Sequence, residues 1–389
     1  VEQIIFTAPI TAGEYLRFLF RNLQNLVAIY GLDYFDTSNV TNMNATFTGT
    51  SSLTSLDLSG WDTGNVTHMG MIFNNASGLT SLDLSGWDTG NVTNMNAVFS
   101  GASGLTSLNL SGWDTSNVLV MDGMFSNTRG LTSLDLSGFD TSNVITMRSM
   151  FSDTRELTSL DLSGFDTSNV WDMGQMFFDA RALTSLNLSG WDTSNVTNMA
   201  WMFTQAFELT SLNLSGWDTR NVTDMHWMFN GTSNLRRLTL GENFRFAAQS
   251  PNLRTSFADA TFTGYWQNVA GGTPGNPQGA HVLTSEEFVD FYRTAPPNLA
   301  DTWVWQRNYN YPPNCTYCAD IGCFECTEGE CGYAPCRCCP ACGEYPCESD
   351  CFGIVPPTGI PGITWTMYAM FALAAIAAGL WGVLLRTKR

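Results

Sequence analysis

Lysine is nearly missing from this chain: Lys388 is the only one among 17 basic residues, set against 35 aspartates and glutamates. With a formal charge of -18 there is no basic stripe to neutralise a phosphate backbone, so nucleic acid is not an expected partner. Histidine is as scarce. His68, His226 and His281 stand far apart, and none belongs to a nucleophile or metal motif, so no catalytic residues and no enzyme are expected. Cysteine is missing from residues 1–314, after which all 11 fall between Cys315 and Cys351. Thiol chemistry is thereby confined to one small module. Val1 is preceded by no initiator methionine or apolar leader, and a secretory signal peptide is expected to have been removed or left out of this sequence.

What is present is a repeat. Asp36, Asp62, Asp88, Asp114, Asp140, Asp166, Asp192 and Asp218 follow one another at 26-residue intervals without a slip. Val40, Met43, Phe47, Leu53, Leu56 and Leu58 recur in the same register, as does an aromatic at Phe35, Trp61 and their equivalents. The Leu-x-x-Leu-x-Leu segment predicts a short strand whose second and third leucines share a face. The Val-x-x-Met-x-x-x-Phe segment has helical spacing, and the Asp-Thr-x-Asn before it supplies turn and N-cap acceptors. One strand and one short helix per unit cannot bury both apolar faces alone, so the units must stack. The expected fold is an α/β solenoid, a leucine-rich-repeat-like right-handed coil with one parallel sheet along its side.

The unit is similar to the 26-residue repeats of BspA-type leucine-rich repeat surface proteins, over about Phe35 to Leu240. The resemblance extends to residues 1–34 as an N-terminal cap, and to Phe257–Gln306, with Trp266, Thr284 and Trp305, as a C-terminal flank. It implies adhesion or ligand binding at a cell surface, with a host or bacterial surface protein or a glycan as ligand.

Most repeated residues must build the coil. The methionine and tryptophan rows read as core, and the asparagine row from Asn39 to Asn221 as a ladder satisfying turn backbone. The row Asp57, Asp83, Asn109, Asp135, Asp161, Asn187 and Asn213 could attract calcium or could be a solvated polar face; no loop with converging oxygens accompanies it. Specificity belongs where units differ. One column reads Ser51, Ser77, Ser103, Arg129, Arg155, Arg181, Phe207, Ser233, and another Thr41, Thr67, Thr93, Leu119, Ile145, Trp171, Thr197, Thr223. A third becomes aromatic at Trp201 and Trp227. The candidate ligand surface is therefore Leu119, Arg129, Ile145, Arg155, Trp171, Arg181, Trp201 and Trp227. The alternative is drift at tolerant positions, with Asp153 and Asp179 pairing the arginines.

After the repeats, Gly271–Gly279 reads as a loop, and Thr284 with Glu287 as a capping box for a short helix through Phe288 and Phe291. Cys315, Cys318, Cys323, Cys326, Cys331, Cys336, Cys338, Cys339, Cys342, Cys347 and Cys351 then crowd into one segment without a histidine. Disulfides suit an extracellular stalk, and zinc on the Cys-x-x-Cys pairs is the other reading; no other cofactor is expected. The odd count leaves one thiol over.

Ile363–Leu385 is an uncharged, mostly apolar run of 23 residues followed by Arg386-Thr387-Lys388-Arg389, a C-terminal transmembrane helix with a cytoplasmic basic tail. Just before it stand Val355, Pro356, Pro357, Thr358 and Gly359, the prolines holding the chain extended. Motif, span and tail in this order resemble the sorting signal of sortase substrates in Gram-positive bacteria, with valine in place of leucine. The resemblance implies that a sortase cysteine attacks the Thr358 carbonyl, releases Gly359 onward and passes the acyl group to an amine of the peptidoglycan. A plain single-span anchor is the alternative. Valine also resembles the signals of pilus-type sortases, but no lysine precedes Thr358. A polymerising shaft subunit is therefore disfavoured, leaving a pilus tip or a solitary wall protein. The expected modules are 1–34 cap, 35–246 repeats, 247–310 flank, 311–354 Cys-rich stalk and 355–389 sorting signal. The whole is expected outside the cell, membrane-spanning through 363–385 before cleavage, with a structural or metal-binding role for the Cys-rich module as the other functional reading.

Overall fold

In a computed structural model of the protein the repeats form stacked parallel coils, each the length of one unit. The structure describes residues 1–254, 258, 261–294 and 300–308, all within a unit spanning Val1–Pro313. The eleven cysteines, Val355–Gly359 and the apolar run at 363–385 lie outside the described residues. Among the described residues no helix is long and apolar enough to cross a membrane.

The coil has no helix, which corrects the α/β expectation to a β-solenoid. Where the spacing predicts a helix over Met121 to Phe125, the chain makes a run of turns. Met121, Gly123, Phe125 and Asn127 donate their N–H groups to Thr146, Arg148, Met150 and Ser152 of the next coil, at 2.7–3.2 Å. The intervening Met124, Ser126 and Thr128 donate three residues back, to Met121, Gly123 and Phe125. This alternation needs left-handed backbone at two places per coil. Ala45, Met71, Ala97, Ser149 and Gln175 have φ of 52–60°, and Gly49, Asn75, Gly101, Asn127 and Asp153 have φ of 57–75°. A helix would satisfy each coil's N–H groups internally. This stack satisfies half of them across the coil boundary, so the same bonds that turn the chain also fix the register. The apolar spacing that mimics a helix still serves, since Val, Met and Phe of every coil are buried.

The opposite side of the coil carries the strands, in short pairs rather than one unbroken sheet. Ser81–Asp83 pairs in parallel with Ser107–Asn109, Ser159–Asp161 with Ser185–Asn187, and Ser211–Leu214 with Arg237–Leu240. A second line of parallel bridges runs along the turn side through Asn42, His68, Asn94, Val120, Thr146, Asp172, Asn198 and Asp224. Between the two sides the core is columnar. Phe47, Phe73, Phe99, Phe125, Phe151, Phe177, Phe203 and Phe229 stack ring on ring at 5.6–5.7 Å.

Polar ladders tie the corners. Asn65, Asn91, Asn117, Asn143, Asn169, Asn195 and Asn221 each donate a side-chain N–H to a carbonyl 27 residues earlier at 2.7 Å. Buried Thr63, Thr89, Thr115 and Thr141 donate to carbonyls of Asp88, Asp114, Asp140 and Asp166 in the next coil.

Both ends of the stack differ from its middle. Residues 1–34 continue the coil bonding, with Leu16, Phe18, Phe20 and Asn22 donating to Asn42, Asn44, Thr46 and Thr48. At the other end Asp301–Arg307 pairs antiparallel with Arg237–Leu240 and with Phe262–Asn268, closing the sheet edge. The helix Ser285–Thr294 begins with the expected capping box: Thr284 N–H donates to Glu287 Oε2 at 2.8 Å, and Glu287 N–H to Thr284 Oγ1 at 3.2 Å. It packs Phe288 and Tyr292 against Trp266 and Trp303. Burial there pushes the Tyr292 hydroxyl up to about 12, where it accepts from Trp303 Nε1 at 2.9 Å.

Candidate functional site

The acidic row on the strand side is used up in turns. Asp57, Asp83 and Asp135 each accept, on Oδ1, the N–H of the serine two residues on, at 3.0–3.1 Å. The Ser59 and Ser85 hydroxyls, then their N–H groups, hold Asp57 and Asp83 below the usual carboxylate range. Among the described residues no group of three His, Cys, Asp or Glu is placed to hold a metal. Each carboxylate serves its own turn, an Asx motif, and the row needs no ion to explain it.

The arginine column is likewise engaged. Asp153 binds both Arg129 and Arg155. Asp179 takes Arg155 Nη2 at 2.8 Å and Arg181 Nε at 2.6 Å. The two aspartates are buried, while the arginines keep 33–47% of their side chains exposed. Burial works against the Asp153 charge, but the hydrogen-bonded guanidiniums of Arg129 and Arg155 prevail and keep its carboxyl low. The result is an alternating ion ladder across three coils, with Arg181 also over the Phe207 ring at 5.7 Å.

Leu119, Ile145 and Trp171 have no such partners. They are 44%, 41% and 49% exposed, in a column where other units carry threonine. Ile145 N–H donates to the Leu119 carbonyl at 2.9 Å and Trp171 N–H to that of Ile145 at 3.0 Å, so the three are immediate neighbours on adjacent coils. They form a continuous apolar stripe on the turn side. Asp172, next in sequence to Trp171, accepts from Asn198 Nδ2 at 2.9 Å. Through that contact the stripe adjoins the coils of Trp201 and Trp227. Those two rings stack at 5.8 Å, His226 lies on Trp227 at 5.0 Å, and Phe178 stands 6.1 Å from Trp201. The structure thus gathers the stripe and the tryptophans on the turn side, and ties the arginines into a ladder of their own.

Sequence reasoning missed a polar group between these elements. Asp122 Oδ1 accepts the Thr146 hydroxyl at 2.6 Å and the Arg148 N–H at 2.8 Å. Burial raises its pKa, partly offset by those two bonds. In other coils the acceptor for this N–H comes from the same coil: Asn42, Asn94, Asp172, Asn198 and Asp224 take the N–H two residues on at 2.8–2.9 Å. His68, Val120 and Thr146 break that row, and at Thr146 it is Asp122 of the coil before that supplies the oxygen. The sequence carried little signal of it, because the column of Asp122 changes from unit to unit and the pairing with Thr146 shows only once the coils are stacked.

Three overlapping stretches, 14–133, 79–185 and 130–241, match the family described as Mycoplasma protein of unknown function, DUF285. No curated protein matches the chain. Among solved structures, a leucine rich cell surface protein from Faecalibacterium prausnitzii A2-165 is similar at 13% identity, covering 61% of this chain and 87% of its own, with a TM-score of 0.28. A TLR13–ssRNA13 complex is similar at 14% identity over 64% of this chain and 57% of its own, with a TM-score of 0.19. Neither superposition is close enough to transfer a residue or a ligand. The family matches together run from residue 14 to residue 241, more than half of the chain, and the chain belongs to the DUF285 family, its repeats forming a leucine-rich solenoid.

Proposed function

We propose that this chain is a cell-surface ligand-binding protein, an adhesin in the broad sense, whose solenoid meets its partner with the turn side of the middle and later coils. The observation that carries this reading is the exposed stripe of Leu119, Ile145 and Trp171 on a column that is otherwise threonine. An apolar stripe that no other part of the described chain covers loses solvation free energy unless a partner buries it. Display outside a cell is what the resemblance of the 26-residue repeats to BspA-type surface proteins supports. The Val355–Gly359 motif, the apolar run and the basic tail support covalent attachment to a Gram-positive wall through Thr358.

The test is reversion to the repeat's own residue. Threonines of this column fit the coil, as Thr67 and Thr93 donate their hydroxyls to Thr41 and Thr67 carbonyls at 3.2–3.3 Å. Leu119→Thr, Ile145→Thr and Trp171→Thr combined should therefore keep the fold while removing the stripe. The full chain is screened against host proteins, glycans and bacterial surface polymers, and the triple variant should lose the binding found. Undiminished binding by a folded triple variant would sink the proposal. For the anchor, wall digests of cells that express the chain with a sortase should yield Thr358 joined to a peptidoglycan amine, and Thr358→Ala should abolish that product.

A further inference from the structure

The stripe of Leu119, Ile145 and Trp171 runs beside a second column. Asp114, Asp140 and Asp166 are exposed five residues before them in the same three coils. Between the two columns each coil makes one tight turn, in which Val118, Val144 and Val170 donate their N–H groups to the carbonyls of Thr115, Thr141 and Thr167 at 2.9 Å. We propose that the partner of this surface is a basic amphipathic α-helix, lying along the solenoid axis with its apolar face on the stripe and its lysines or arginines toward the aspartates. The inference rests on the reading of the stripe as a ligand surface and names the chemistry of its partner.

The turn keeps the two columns together. Cα atoms at the ends of such a turn lie less than about 7 Å apart. Asp114 and Leu119 are the residues next to those ends, so a helix, about 10–12 Å across with its side chains, can cover both columns. The direction of the stripe favours a helix over a strand. Successive coils of a parallel stack lie about 4.8 Å apart. Apolar residues of an amphipathic helix recur every 3.5 residues on average, a step of about 5.3 Å. One face of an extended strand steps about 6.8 Å. Over three coils the helix drifts from the stripe by about 1 Å and the strand by about 4 Å. A helix can thus set one apolar side chain against each of the three residues. Trp171 is the widest contact, 49% exposed, and among the described residues its ring is free of the stacking that engages Trp201 and Trp227.

Charge selects the sign of the helix. Asp114, Asp140 and Asp166 each accept one N–H on Oδ1 at 2.9 Å, from Ser116, Ser142 and Ser168, and none of the three forms an ion pair among the described residues. The hydroxyls and then the N–H groups of Ser116 and Ser168 hold Asp114 and Asp166 below the usual carboxylate range, so both are ionised at neutral pH. On the other side of the stripe Arg148 is taken up by Asp172 at 3.6 Å, with Asp122 beside it, so that flank carries no net positive charge. The same charge disfavours other occupants. A second copy would bring its own aspartates against these, in a chain of formal charge -18, and an anionic membrane is repelled in the same way. A neutral sugar finds a ring at Trp171 but draws nothing from a row of charges. A basic helix uses both columns at once.

Labelled peptides of about 18 residues, with leucine on one helical face and lysine on the other, are titrated with the full chain by fluorescence anisotropy, while circular dichroism follows their helix content. The basic peptide should bind in roughly the micromolar range at about 50 mM salt, gain helix on binding, and bind more weakly at about 500 mM. The same residues in scrambled order, glutamate in place of lysine, or a central proline should each weaken binding about tenfold or more. Asp114→Asn, Asp140→Asn and Asp166→Asn combined should weaken it about tenfold at the lower salt. That variant keeps its turns, since Asn109 and Asn187 accept the N–H two residues on at 3.1–3.2 Å in the strand row. Leu119→Thr, Ile145→Thr and Trp171→Thr combined should weaken binding about tenfold at both salt concentrations. No binding at roughly 100 μM overturns the inference. Equal binding of the scrambled peptide, or equal binding by either triple variant, does so as well. A chain that ignores the basic helix yet holds a neutral or acidic protein, or a glycan, through Leu119, Ile145 and Trp171 overturns the helix and leaves the broader proposal standing.

Discussion

Asp122 acts as a borrowed cap for the coil of Thr146, and that claim can be measured. In Asp122→Ala the Arg148 N–H and the Thr146 hydroxyl lose an acceptor that sits at 2.8 and 2.6 Å. A net contribution of about 1 kcal/mol per hydrogen bond gives a gross loss of about 2 kcal/mol. The burial that raises the Asp122 pKa is relieved by the same change, which brings the expected loss to about 1–2 kcal/mol. Alanine itself fits, because Ala200 fills this position in a later coil. Restoring the usual cap with Thr146→Asn should then rescue the variant. Asn42, Asn94 and Asn198 show that asparagine there takes the N–H two residues on. Urea unfolding of the four proteins closes a double-mutant cycle, and its coupling should be about 1 kcal/mol, with the double variant close to the parent. If Thr146→Asn leaves Asp122→Ala as unstable as before, the two positions do not share one acceptor role and the argument fails.

Three more outcomes follow from the same packing. Asp57, Asp114, Asp153 and Asp218 are held below their ordinary carboxylate value of about 3.9, so the unfolded chain binds more protons as pH falls through that value. Their stabilisation is complete above that pH and lost below it; the raised Asp122 acts in the opposite sense, as one group against many. The thermal midpoint should drop between about pH 5 and pH 3, and a midpoint unchanged across that window would count against the Asx ladders as stabilising contacts. Phe125→Ala removes a fully buried ring lying 5.6 and 5.7 Å from Phe99 and Phe151, and should cost about 3–5 kcal/mol. Since coils touch only their neighbours, calorimetry should also show the single transition broadening or splitting. For the cysteine segment, alkylation of the denatured, unreduced chain should add a label to one thiol, the odd one of 11; near-complete labelling would replace disulfides with metal or free thiols.

The period was legible because a solenoid repeats its core from coil to coil. Phe47 to Phe229 stack in one column, and any slip of the 26-residue register would misplace every ring. The helix was not legible, for a physical reason. Val40, Met43 and Phe47 are spaced as on a helix, yet the same spacing buries all three when the chain turns at left-handed Ala45 and Gly49. Apolar periodicity reports which side chains go inward, and not whether the N–H groups bond within the coil or to the next one. That choice depends on a neighbouring coil whose carbonyls are in reach, as Asn74 is for the Gly49 N–H at 2.7 Å.

Function in a repeat protein is sought among departures from the consensus, and the departures here are of two kinds. Arg129, Arg155 and Arg181 depart together, and so do Asp153 and Asp179, because each change satisfies the other in a ladder of ion pairs. At Thr146, Asp122 of the preceding coil replaces the acceptor that asparagine or aspartate supplies in other coils. Such pairs are compensated within the fold. Leu119, Ile145 and Trp171 are a different kind of change. Each gives up a threonine whose hydroxyl would bond the preceding coil, as Thr93 does at 3.3 Å, and each places an apolar side chain more than two-fifths exposed in its stead. Nothing in the described fold offsets either loss, and it is on this uncompensated residue of variation, visible only once the coils are stacked, that the proposed ligand surface rests.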